Sequence, residues 1–125
     1  MLFRSVIRQL RTVLEVGRRA GISVSVCGEM ASEPLSAVLL VGLGYTCLSV
    51  SPPTLPVVKW VVRTVPYSVA EQAAAAALEA DRADRVTRAL SEAVRDYIDV
   101  RLLGPETPLP GRASKTTLPP GSVTH

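Results

Sequence analysis

The chain has 125 residues, 47% of them apolar, and 14 basic against 11 acidic side chains give it a formal charge of +3. This apolar content excludes a disordered protein and suffices for one compact core, which aliphatic side chains must fill because aromatic residues make up only 4%. Acidic residues are interspersed among the arginines, which argues against a nucleic-acid-binding patch. The longest apolar run, residues 37–43, is too short to cross a membrane.

The N-terminal segment predicts a helix over residues 3–19 that ends at Gly21. It carries five arginines and one acid, as an amphipathic targeting segment does, but its apolar residues recur at the spacing of a packed helix face. These are Phe3, Ile7, Leu10, Leu14 and Gly17. No apolar stretch with a cleavage site follows, so we expect a cytoplasmic protein with reduced thiols.

Two short strands, over residues 22–27 and 45–51, alternate with the predicted helices. Ser32 is the predicted N-cap of a helix over residues 33–41, with Glu33 and Pro34 in its first turn, which ends at Gly42. A further helix is predicted over residues 55–64. Short connections between alternating helices and strands are typical of an α/β protein with parallel, neighbouring strands. Because the strands carry almost no charge, we expect both of their faces to be buried.

The composition changes after residue 65. Ser68 and Glu71 form a capping-box pattern before an alanine-rich helix, and a second helix is predicted over residues 82–103 with Val86, Leu90, Val94, Tyr97 and Ile98 on one face. The remaining residues are rich in proline and too poor in apolar groups to fold. The predicted units are therefore βα units at 1–65, a helical extension at 66–104 and a disordered tail at 105–125.

Cys27 is the main candidate for chemistry, since it ends the first predicted strand and is followed by Gly28 and Glu29. In parallel α/β folds the reacting groups lie at that end of the strands. The alternative for Cys27 is a small buried core residue. Glu29 either orients the cysteine or binds substrate, or it caps a helix or pairs with an arginine. Cys47 is interpreted as core filler. Structural zinc is not expected, because the cysteines are far apart and the only histidine is His125.

Five segments carry a resemblance to a known family. They are Ser25-Val-Cys-Gly-Glu-Met-Ala31, Pro34, Leu39-Leu-Val-Gly-Leu-Gly44, Leu48-Ser-Val-Ser51 and Leu55-Pro-Val-Val-Lys-Trp-Val-Val-Arg63. Their order and spacing resemble the C-terminal part of the phosphoenolpyruvate (PEP)-utilising barrel of PEP-protein phosphotransferase, which is enzyme I of the phosphotransferase system. The Lys59-Trp60 pair and the Leu-Ser-Val-Ser form look most like its nitrogen-regulatory paralogue.

The resemblance implies a fragment of a (β/α)₈ TIM barrel, with the two strands as its seventh and eighth. It implies that Cys27 is the proton donor to enolpyruvate and that Gly28 and Glu29 form its loop. A thiol suits this task, because an ordinary cysteine is mostly protonated at neutral pH and an enolate carbon is basic enough to take the proton.

The family also uses magnesium, takes PEP to pyruvate, passes the phosphoryl group to a phosphocarrier protein and can form a homodimer. Its phosphorylated histidine, substrate-clamping arginines and magnesium ligands have no counterpart in this sequence. We therefore expect a transferase fragment that is inactive until completed. The alternatives are a non-catalytic piece that associates with full-length enzyme I, and an independent small enzyme with Cys27 as nucleophile, which would need a nearby base.

Overall fold

The computed structural model describes residues 4–103, which form several helices around one small sheet. In chain order the elements are α1 (Arg4–Arg19), β1 (Val26–Cys27), α2 (Glu29–Ser32), α3 (Pro34–Leu43), β2 (Leu48–Ser49), a 3₁₀ turn (Pro52–Thr54), α4 (Leu55–Thr64), α5 (Tyr67–Glu79), α6 (Ala83–Val94) and a second 3₁₀ turn (Val100–Leu103). The predicted helix start at Phe3 and the predicted disordered tail lie outside the described residues. Within residues 4–103 no helix combines the length and the apolar character that crossing a membrane requires.

The two strands pair in parallel, with Val26 opposite Leu48. This confirms the predicted α/β pattern, but each strand is only two residues long. The first residues of the predicted strands bond to the preceding helices instead: the Ile22 N–H donates to the Gly17 carbonyl at 2.9 Å, and the Tyr45 N–H to the Leu40 carbonyl at 3.0 Å. Those amides therefore extend the ends of α1 and α3 and are not available to a sheet ladder.

Helices cover only one face of this sheet. Val24, Val26 and Leu48 pack against the buried cluster of Leu14, Leu40 and Tyr45. The side chains that alternate with them are exposed: Ser23, Ser25, Cys27, Cys47 and Ser49. The expectation that both faces are buried is therefore wrong for the described residues, because the core packs only on the side of Val24, Val26 and Leu48.

Helix α3 is the central element of the core. Its residues from Leu35 to Leu40 are all buried, as expected for a helix that is apolar around its whole circumference. Leu39 packs with α1, α5 and α6, Val38 with α4, and Leu40 with the sheet, so all three core clusters contain a residue of α3.

Helix α5 crosses α3 at Gly42. A Cβ atom on Gly42 would lie 2.0 Å from the Ala70 carbonyl oxygen and 2.9 Å from the Ala74 Cβ. Gly42 is thus a contact residue inside α3 and not its end. The helix runs on to Leu43 and is capped by Gly44, whose φ of 107° suits glycine.

The C-terminal helices differ from the predictions at their ends. Helix α5 begins at Tyr67, so Ser68 lies inside its first turn and no side chain caps it. Helix α6 ends at Val94, well before residue 103, and a local turn follows in which the Asp99 carboxylate accepts a hydrogen bond from the Arg101 N–H at 3.0 Å. Three predicted face residues of α6 are confirmed as buried, Val86, Leu90 and Val94, as is Ile98 beyond its end, whereas Tyr97 is exposed.

We expect Gly42→Ala to lower the free energy of unfolding by about 2–3 kcal/mol, because the new methyl group must displace the backbone of α5. Urea denaturation followed by circular dichroism measures the loss. Gly21→Ala is the control: a Cβ there meets no atom within 4 Å, so only the strain of its φ of 68° should remain, about 1–2 kcal/mol. Equal losses in the two variants would contradict the close approach of α3 and α5.

Tyr45 links the segment before β2 to α1, because its hydroxyl donates to the Leu10 carbonyl at 2.6 Å. Burial raises the pKa of this phenol above its ordinary value of 10.0. Its contribution to stability is therefore present below pH 10 and is lost as the pH rises through the higher pKa of the folded state.

We expect Tyr45→Phe to cost about 1 kcal/mol at neutral pH and to reduce the loss of stability in alkali. Urea unfolding at neutral pH and above pH 10 measures both effects. Tyr67→Phe, at a half-exposed tyrosine, should change neither. An unchanged alkaline loss in Tyr45→Phe would rule out Tyr45 as its source.

A candidate active-site loop at the end of β1

Cys27 is the last residue of β1, and its thiol is free and exposed. It points away from the covered face of the sheet, because its neighbour Val26 packs against the core on the other side. The alternative of a buried, core-filling Cys27 is therefore excluded. An accessible thiol at the carboxyl end of a parallel strand stands where the reacting groups of α/β proteins are found.

Gly28 takes a backbone conformation that essentially only glycine adopts, with φ 87° and ψ −160°. Apart from Gly28 itself and its two chain neighbours, no heavy atom lies within 4 Å of the position that a Cβ would occupy. The glycine is therefore required by the turn of the chain and not by crowding. It reverses the chain between β1 and α2 and leaves open space directly after the thiol.

Glu29 begins α2, a single helical turn above the end of β1. Its side chain is exposed, and among the described residues it enters no hydrogen bond or ion pair, so it is available for a ligand in solution. The turn is closed by the backbone: the Ser32 N–H donates to the Gly28 carbonyl at 3.3 Å, and the Glu33 N–H to the Glu29 carbonyl at 3.0 Å.

The side chains of Ser32 and Glu33 tie this loop to the rest of the fold. Glu33, not the predicted Ser32, is the N-cap of α3: its carboxylate accepts from the Leu35 N–H at 3.1 Å and from the Ser36 N–H at 2.7 Å, and also bonds the Ser36 hydroxyl. Because Ser32 does not cap α3, its hydroxyl can make another contact, and it accepts a hydrogen bond from the Ser51 N–H at 3.0 Å. The loop after β1 is thereby joined to the segment after β2.

Cys47 is exposed, so its interpretation as core filler is wrong. Cys27 lies opposite Ser49, and Cys47 comes two residues before Ser49. Because side chains along a strand alternate between the two faces, both thiols lie on the same open face of the sheet. The helices cover the other face, where Leu48 is packed. The sequence carried a signal for this, because small polar residues alternate with valine and leucine in both strands.

Two further features bear on the chemistry of the loop. A cavity of about 460 Å³ between α2, α3 and α6 is lined by Glu29 and Glu33, but Cys27 does not line it. Within residues 4–103 no three His, Cys, Asp or Glu side chains come together in a group that could hold a metal ion. This part of the chain therefore presents a thiol and a carboxylate at a strand end, and no metal centre.

Comparison with known proteins places this loop in a family. The family model described as "PEP-utilising enzyme, PEP-binding domain" matches residues 2–67, more than half of the chain, and the chain belongs to that family. The loop Cys27-Gly28-Glu29 lies inside the matched segment.

Particular relatives are phosphotransferases. The chain is 41% identical over 75 residues to the "Phosphoenolpyruvate-protein phosphotransferase" of Streptomyces coelicolor. This alignment covers 60% of the present chain and 14% of the relative. It is 39% identical over 95 residues to the "Multiphosphoryl transfer protein" of Xanthomonas campestris, covering 76% of this chain and 11% of the relative. The "Phosphoenolpyruvate-dependent phosphotransferase system" protein of Escherichia coli is 38% identical over 80 residues, 62% of this chain and 11% of its own length. The chain thus spans less than a seventh of the relatives it matches, and the resemblance inferred from the motifs is confirmed.

We expect Glu33→Ala to lower the free energy of unfolding by about 1–2 kcal/mol, because two backbone N–H groups at the start of α3 lose their acceptor. Urea denaturation tests this. Glu92→Ala, at an exposed glutamate of α6, should stay within about 0.5 kcal/mol of the parent. If both substitutions have the same small effect, the cap does not hold α3.

Proposed function

We propose that residues 1–65 supply the last two βα units of a PEP-utilising barrel and that Cys27 donates the proton that converts enolpyruvate into pyruvate. The observation that carries this proposal is the exposed thiol of Cys27 at the carboxyl end of a parallel strand, inside the segment that matches the PEP-binding domain. Residues 66–104 then act as a helical extension packed on the outer side of α3.

The step assigned to Cys27 is a carbon protonation. Once the phosphoryl group has left PEP, the enolate remains with its negative charge shared between oxygen and the methylene carbon. A C–H bond forms at that carbon as the S–H bond of Cys27 breaks, and the resulting thiolate regains a proton from water. The exposed thiol and the space left by Gly28 give a substrate access to this proton.

The open face of the sheet supports the same assignment. In a closed barrel one face of every strand points to the interior and the other is covered by helices. Here Val26 and Leu48 contact the helix layer, so Cys27, Cys47 and Ser49 would face the interior. Their exposure is then explained by the other strands of such a barrel, which residues 4–103 do not include.

Other parts of a complete enzyme must supply the rest of the reaction. The described residues form no cluster that fits magnesium, so no step proposed here runs through a metal. We assign the metal ligands, the phosphorylated histidine and the phosphate-binding arginines to other strands and domains. The proposed partners are PEP, pyruvate and a phosphocarrier protein, with the cytoplasm as the compartment.

A graft tests the proposal. Residues 2–67 replace the matching segment of the Streptomyces coelicolor relative, and pyruvate release from PEP is measured. We expect Cys27→Ser to slow pyruvate release about 100-fold or more, because a hydroxyl is a much weaker acid than a thiol. Single-turnover phosphorylation of the protein should be retained, since the phosphoryl group leaves before the proton is needed.

Cys47→Ser is the matched control, because this thiol lies on the same open face but away from the strand end. Its pyruvate release should remain close to that of the parent graft. The assignment of Cys27 is wrong if its serine variant releases pyruvate as fast as the parent. A parent graft that folds but neither phosphorylates nor releases pyruvate would contradict the barrel assignment itself.

A further inference from the structure

The segment that carries the candidate proton donor is attached at both ends to β2 and its continuation. At its start, Cys27 lies opposite Ser49 in the parallel pair. At its end, the Ser32 hydroxyl accepts a hydrogen bond from the Ser51 N–H at 3.0 Å. Ser49 and Ser51 are only two residues apart. Residues 27–32, which we call the Cys27 loop, therefore start and finish against the same short stretch of chain.

The backbone of the Cys27 loop does not fix its own direction. Gly28 follows the thiol-bearing residue directly, with φ 87° and ψ −160°, and glycine has access to more backbone conformations than any other residue. The strand before it has only two residues, so few ladder hydrogen bonds hold Cys27. The position of the thiol therefore depends on the contacts that the rest of the loop makes.

The loop makes apolar contacts and one directional contact. Ala31 is fully buried, and Met30 packs against the core cluster beneath the sheet. Apolar contacts hold the loop on the core but have no preferred direction. The bond to Ser32 has one, because a hydrogen bond weakens steeply with its angle. Among the described residues it is the only hydrogen bond between residues 28–33 and residues 50–54, so it alone orients the loop across the ends of the strands.

Ser51, the donor of this bond, is itself held in place. Its carbonyl accepts from the Thr54 N–H at 3.1 Å and from the Leu55 N–H at 3.2 Å, and its hydroxyl lies 2.8 Å from the Thr54 hydroxyl. These bonds form the turn that leads into α4, and α4 is anchored in the core by the fully buried Val61. Through Ser32, the loop is thus tied to a segment with its own support.

We propose that Ser32 is a positioning residue that aims the thiol of Cys27 at its substrate. This inference rests on the proposed function, in which Cys27 protonates the methylene carbon of enolpyruvate. Proton transfer needs the donor within hydrogen-bond reach of that carbon, and a displacement of about 1 Å can cost up to about 100-fold in rate. Ser32 takes no part in the transfer itself. It keeps the Cys27 loop in the one direction that presents the S–H group to the substrate.

Ser32→Ala in the graft described above tests this role, because alanine favours the helical turn of α2 but cannot accept the hydrogen bond. We expect pyruvate release at saturating PEP to slow about 10-fold. The KM for PEP should stay within about twofold of the parent value, since the groups that bind PEP are assigned to other strands. Ser32→Thr retains a hydroxyl and should restore the rate. Ser5→Ala removes an exposed hydroxyl from α1 and should leave the rate unchanged.

A double variant shows whether Ser32 acts through the thiol. With Cys27→Ser already present, Ser32→Ala should slow pyruvate release no further, because the group that it positions is gone. If the two losses multiply, Ser32 has a separate role and the inference is wrong. A fast Ser32→Ala beside a slow Cys27→Ser also overturns the inference but leaves the proposed function intact. A Cys27→Ser variant at the parent rate overturns the proposed function, and the role of Ser32 with it.

Hydrogen exchange in the full chain tests the link without any activity. The Ser51 amide, followed by NMR, should exchange about fivefold faster or more in Ser32→Ala than in the parent, because its acceptor is lost. Ser32→Thr should restore the slower exchange. Equal exchange in the parent and in Ser32→Ala would show that the bond does not hold the loop. This measurement decides the proposal if a grafted variant does not fold.

Discussion

The close approach of α3 and α5 at Gly42 is the contact on which the rest of the structure depends. With no side chain at Gly42, and with alanines at Ala70, Ala73, Ala74 and Ala77, the two helices come together almost backbone to backbone. Helix α3 is apolar except for the buried Ser36 and must be covered on every side, and α5 supplies a large part of this cover. Where α3 lies then decides where the sheet and the loop after β1 can be, since Leu40 supports the sheet and Glu33 caps the start of α3.

The family match and the core do not have the same limits. The match ends at residue 67, but the cluster around Leu39 is completed by residues of α5 and α6 such as Ala77, Val86 and Leu90. Residues beyond the match therefore bury the outer side of the central helix. Helices α5 and α6 are therefore part of the core of this chain, although they carry none of the candidate chemistry.

Among the described residues the core packs against one face of the sheet, and this asymmetry has chemical and physical consequences. The thiol of Cys27 is accessible because no described residue covers the other face, and within residues 4–103 each strand also has one unpaired edge. Free edges and apolar patches favour association with further strands. In the proposed barrel, the strands that complete the sheet would therefore also enclose the thiol of Cys27.

The sequence by itself determined the order of the elements, the parallel α/β character, the family and the candidate loop at Cys27. These features can be predicted because they depend on patterns within a few neighbouring residues. Such patterns are the helical spacing of apolar residues, the glycines at helix ends and the Cys-Gly-Glu motif. Only the tertiary structure decided that the strands are two residues long, that Cys47 is exposed, that Gly42 is a helix contact and that Glu33 displaces Ser32 as the cap. Each of these depends on which distant segment is present to pair or pack, as when Ala70 meets Gly42 or Ser51 binds Ser32, and periodicity along the chain carries no information about such partners.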